Sequence, residues 1–150
     1  MIVVLDASVI LKWFIKEADS ETALRFKNDL LHGKTNIVLP DLALYEIVNV
    51  LRFKQGVGEE AVKSILPALF DLGMEIVTPS QRLLEDALHL SFATDLSIYD
   101  CIYLALANEL AHSLAKNNLA RFGEVLHEGW VYKKELADGI SNPLIDEYYE

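Results

Sequence analysis

At 150 residues the chain has the length of one domain and is expected to bury roughly 70% of its unfolded surface; its 52% hydrophobic content calls for a substantial core or an apolar partner surface. A net charge of −10 excludes nucleic-acid binding through a broad basic surface, but not binding through a divalent cation that inverts the local field. The lone cysteine, Cys101, excludes an internal disulfide and fits a reducing cytoplasm, and no apolar run approaches the ~18 residues of a membrane span.

The N-terminal stretch has neither a basic start nor a small-residue cleavage site, so no secretory signal is expected. Ile2 to Leu5 is a continuous apolar run, as in a strand buried on both faces. Ser8 is expected to cap a helix through about Lys16, and Ser20 another through about Leu31 with Gly33 as its stop. Ile37 to Leu39 reads as a second strand. Pro40 and Asp41 open a helix through about Lys54, and Gly56 and Gly58 break the chain. Glu59 to Leu72 reads as helix closed by Gly73, and Glu75 to Val77 as a third strand. Ser80 to about Thr94 and Ile98 to about Ala111 are two further helices. Beyond them, short strands are expected at Ser113 to Ala115 and at Trp130 to Tyr132, before the acidic tail NPLIDEYYE. Short strands alternating with helices imply one α/β domain with a parallel sheet covered on both faces.

The chemistry resides in carboxylates. Asp6 ends the first strand, and ligands of parallel α/β sheets gather at such ends; a plain turn acid is the competing reading. Glu46 lies on the helix PDLALYEIVNVLRFK among Leu42, Ala43, Asn49, Val50 and Phe53, all but Asn49 apolar. A carboxylate on such a stripe must be paired or bound to metal, and Asn49, one turn on, is placed to hold it. Asp100 follows Ser97 with the [ST]-x-x-[DE] spacing of a capping box, a role compatible with ligation. If the three converge they suit Mg²⁺ or Mn²⁺, which take oxygen ligands and retain waters. His32, His89, His112 and His127 are scattered without zinc spacing, and no phosphate-binding or nucleophile-elbow motif occurs. Lys12, Lys16, Arg52 and Lys54 are candidates for RNA phosphates or, more plainly, solvated helix faces. Trp13 and Phe14 read as core or interface.

VVLDAS, LPDLALYEIVNVL and LSIYDCIYLALA, in this order, resemble the PIN-domain family, in particular its VapC-type toxin ribonucleases. The resemblance spans about the first three quarters of the chain. It implies a three-layer α/β/α sandwich with a short central parallel sheet, and a Mg²⁺- or Mn²⁺-dependent endoribonuclease. It also implies a cytoplasmic homodimer neutralised by a cognate antitoxin. Carried over, Asp6 and Asp100 are metal ligands, Glu46 a ligand directly or through water, and Ser8 and Asn49 supports of Asp6 and Glu46. The departure is SLAKNNLARF: family members usually carry a Thr-x-Asp-like segment there, whereas this chain has Lys116 and Asn118. Asn118 offers a carbonyl oxygen without charge, so a second metal site is in question, and the segment from about 112 is atypical. The competing function is a degenerate PIN-like domain that binds RNA or a protein without cutting. A phosphotransfer domain is disfavoured, because Asp6-Ala7-Ser8 lacks the second acid of a D-x-D pair.

Overall fold

The computed structural model describes residues 2–17, 20–116, 124–127 and 130–132. In chain order these form β1 (Ile2–Leu5), α1 (Ala7–Leu11), α2 (Ser20–Leu31), β2 (Asn36–Pro40), α3 (Leu42–Phe53), α4 (Glu59–Asp71), β3 (Glu75–Val77), α5 (Gln81–Thr94), α6 (Ile98–Lys116), β4 (Glu124–His127) and β5 (Trp130–Tyr132).

The strands form one sheet in the order β3-β2-β1-β4-β5. Val3 sits opposite Ile37 and Val4 opposite both Val38 and Val125, all in parallel pairings, and Leu39 pairs in parallel with Ile76. β5 alone runs antiparallel, to β4. Successive side chains of a strand point to opposite faces, and Val3, Val4 and Leu5 are all fully buried. Both faces of β1 are therefore covered.

The connectivity explains the cover. From β1 through β2 to β3 the chain steps in one direction, carrying α1 to α4; from β3 to β4 it returns past β1, carrying α5 and α6. Right-handed crossovers then set the two groups of helices on opposite faces. α3 packs on α1, β2 and α4, while α6 packs on β1, β2 and β4 and carries α5 outside it. This is the three-layer α/β/α sandwich, with a mostly parallel sheet.

Local signals set most boundaries. Gly33 and Gly73, just past α2 and α4, take the left-handed conformation at φ 68° and 75°, which a side chain would strain. Ser80 caps α5 by accepting from Leu83 N at 3.0 Å. Three expectations fail. Asp6, not Ser8, caps α1, its Oδ1 accepting from Ser8 N at 2.7 Å. That helix ends at Leu11 rather than near Lys16: the amides of Trp13 and Phe14 bond three residues back, to Ile10 and Leu11. The Trp13 indole N–H meanwhile donates to Ala23 O at 2.8 Å, holding the turn against α2. Finally, the strand expected at Ser113 to Ala115 is helix, because the Ala- and Leu-rich run of α6 continues to Lys116 without a breaker. The acidic tail lies outside the described residues.

Candidate active site at the carboxyl end of the sheet

β1 lies between β2 and β4, where the chain's direction of travel across the sheet reverses. Such a switch point opens a crevice at the carboxyl ends of the strands, and Asp6 is the residue that follows β1 there. The buried polar residues among those described are Asp6, 8% exposed, and Thr35. Part of Asp6's buried charge is met by the backbone N–H of Ser8 at the start of α1, where a helix favours an anion.

α3 begins immediately after β2, which places Glu46 about 6 Å along the helix from its first residue and close to the same end of the sheet. Its side chain is half-buried. The expected apolar stripe around it holds at Ala43 and opens further on, since Val50 is exposed and Phe53 is 75% exposed. Glu46 is held by Tyr103, whose hydroxyl donates to Glu46 Oε2. Asn49 is exposed and lines a shallow depression with Val50, Phe53, Lys54 and Gln55.

Tyr103 comes from the opposite helical layer and is 3% exposed. Burial first, then the hydrogen bond and negative charge of Glu46, then the charge of Asp6, push its phenol far above the ordinary tyrosine range. The hydroxyl is thus a permanent donor that feels both carboxylates. Asp100 lies one turn earlier on the same face of α6. Its backbone N–H donates to Ser97 Oγ at 3.1 Å, the Ser97 half of the capping box foreseen from the spacing, and Ser97 Oγ donates to Asp100 Oδ2 at 2.6 Å.

The site has one orphan. Ser8 Oγ is buried and has no hydrogen-bond partner among the described residues. Desolvating a hydroxyl without a partner is unfavourable, so its position beside Asp6 suits a ligand or a ligand's water. The donor set is all oxygen, the preference of Mg²⁺ and Mn²⁺. Among the described residues no three His, Cys, Asp or Glu side chains group to hold a metal. Mg²⁺ does not require such a group, because one or two carboxylates and several waters satisfy it. In donor type the residues fit the ion. Asn118 lies outside the described residues.

Cys101 is fully buried and its thiol is pushed up by burial, which disfavours the reactive thiolate. Lys54 pairs with Glu17 at 3.6 Å, and the Arg52 guanidinium lies over the Phe53 ring. Trp13 is core. Tyr103 is the residue that sequence reasoning missed. A signal existed: a tyrosine on an apolar helix face needs a partner for its hydroxyl, and Glu46, on a largely apolar sequence stripe, needs a donor.

A family model for the PIN domain matches residues 3–125, most of the chain and all of the elements that carry these residues. The chain belongs to the PIN domain family. No curated protein matches it. Among solved structures it is similar to a chain of a toxin–antitoxin complex from Klebsiella pneumoniae, at 17% identity over 72% of this chain and 79% of that one, with a TM-score of 0.55. At that identity the two share a fold. Among the described residues no single helix is long and apolar enough to cross a membrane.

Proposed function

We propose that the chain is a Mg²⁺- or Mn²⁺-dependent endoribonuclease, the toxin of a toxin–antitoxin pair, built as a single PIN domain over residues 1–150. The reading rests on one observation above all: Asp6 stands buried at the strand switch point of a PIN fold, beside an orphaned hydroxyl, and Tyr103 from the opposite helical layer holds Glu46. Asp6 and Asp100 would hold the cation, and Glu46 would meet it directly or through water. When bound, the ion supplies charge neutralisation at the phosphodiester and a more acidic water. Water adds at phosphorus as one P–O ester bond breaks, Glu46 takes the water's proton at a carboxylate oxygen, and the leaving oxygen takes a proton from solvent. Ser8 Oγ orients Asp6 or a water beside it, Asn49 supports Glu46, and Asn118 contributes a neutral oxygen.

A chain of net charge −10 would otherwise repel RNA, and a bound divalent cation would offset that repulsion locally. The likeness to a chain of a toxin–antitoxin complex supports an antitoxin partner, and the exposed side chains Tyr45, Phe53, Leu88 and Phe92 supply apolar surface for it and for a second copy in a cytoplasmic homodimer. A non-cleaving PIN domain is the second reading, favoured by the absence of a three-carboxylate group among the described residues. The test is incubation of the antitoxin-free chain with a panel of structured RNAs in Mn²⁺, Mg²⁺ or EDTA. Cutting that stops in EDTA supports the nuclease; RNA binding without cutting in any of them supports the second reading.

A further inference from the structure

The bond between Tyr103 and Glu46 joins the two helical layers over the end of β1, and nothing in the proposed reaction uses it. Tyr103 has packing reasons enough to be aromatic: it is buried on the face of α6 that also buries Leu106 and Ala107. Phenylalanine would serve those contacts. The hydroxyl adds a donor, and a donor in the core is unfavourable unless it is met. It is met by a carboxylate from the other face of the sheet. The same hydroxyl feels the charge of Asp6 and the Ala7 backbone as well as Glu46. One turn before it, on its own helix, is Asp100. A single side chain thus bonds Glu46, feels the charge of Asp6 and shares a helix with Asp100.

We propose that Tyr103 is a positioning residue: its hydroxyl, donating across the sheet to Glu46 Oε2, fixes the orientation in which Glu46 stands toward the end of β1 that carries Asp6. This rests on the carboxylates forming the cation site. A glutamate on a helix has three side-chain torsions and surveys many directions; a charge-assisted bond to a buried phenol selects one. Such outer partners of metal ligands commonly set affinity by orienting the ligand.

Tyr103→Phe deletes the hydroxyl and keeps the ring. Mn²⁺ binding to the chain without RNA, followed by calorimetry, is expected to weaken about tenfold, while kcat for RNA falls and KM holds. In a Glu46→Ala background the same substitution changes the Mn²⁺ Kd no further, whereas a merely structural role would raise it equally in both backgrounds. A folded Tyr103→Phe chain that binds Mn²⁺ with the unaltered Kd overturns the positioning role alone. An unaltered chain that binds no Mn²⁺ overturns the cation site and the positioning role with it. If Tyr103→Phe does not fold, the unaltered chain labelled at tyrosine Cζ decides. The Tyr103 resonance, assigned by its displacement in Glu46→Gln, moves saturably with Mg²⁺ if the proposal holds and stays fixed if it does not.

Discussion

Tyr103 and Glu46 lie 57 residues apart in sequence, on helices of opposite layers, and share a hydrogen bond at the carboxyl end of the sheet. The bond fastens α3 to α6 across β1, so its loss has a cost in stability separate from any chemistry. Tyr103→Phe leaves a half-buried carboxylate without this donor and should destabilise the fold by about 1 kcal/mol, read from urea unfolding near neutral pH.

The same pair gives a pH dependence of definite sign. Unfolded tyrosine ionises near pH ~10, and in the folded chain burial and Glu46 hold the Tyr103 phenol well above that. The folded state therefore keeps a proton that the unfolded state releases. The contribution of this group is fully present below about pH 10 and declines as pH rises beyond it. Urea midpoints at about pH 8 and about pH 11 should fall further apart for the unaltered chain than for Tyr103→Phe.

Ser8 gives the opposite pattern. Its hydroxyl is buried without a partner among the described residues, so Ser8→Ala removes an unfavourable group and places a better helix former in α1. Thermal unfolding should change by less than about 0.5 kcal/mol, or rise. Metal-dependent cleavage should fall all the same, because the hydroxyl proposed to orient Asp6 or its water is gone. A change in stability with unaltered cleavage would assign Ser8 to packing.

Ser97 and Asp100 separate capping from charge. Ser97→Ala removes the acceptor for Asp100 N and should destabilise α6 by about 1 kcal/mol. Asp100→Asn keeps a side-chain oxygen for the Ser97 hydroxyl, so it should cost less stability than Ser97→Ala and yet abolish cleavage. Denaturation and RNA cleavage on the same two variants check both halves.

What could be read in the sequence was what local chemistry decides. The unbroken apolar run of β1 announced a strand covered on both faces, and the glycines after α2 and α4 marked their ends because only glycine takes those backbone angles freely. The Ser97–Asp100 cap was legible for the same reason. Asp6 as cap of α1 was missed because Asp6 and Ser8 are both good caps, and the choice depends on where β1 ends. β4 escaped notice because four residues, Glu124–His127, carry too little periodicity to register, and their pairing with β1 is long-range. Glu46 was singled out for its apolar neighbours, yet Val50 and Phe53 are exposed and its real anchor is on another helix. A partner 57 residues away leaves no trace in the spacing around Glu46.

Asp6→Asn tests the central claim most directly. Asparagine caps a helix as well as aspartate and can accept from Ser8 N in the same way, so the fold is kept while the charge at the strand end is removed. Cleavage of a structured RNA in Mn²⁺ is measured for the two chains, matched by circular dichroism. A loss of at least about 100-fold, equivalent to ~2.7 kcal/mol of barrier, is predicted for the folded variant. Cleavage by Asp6→Asn at the unaltered rate would contradict a cation held at the end of β1.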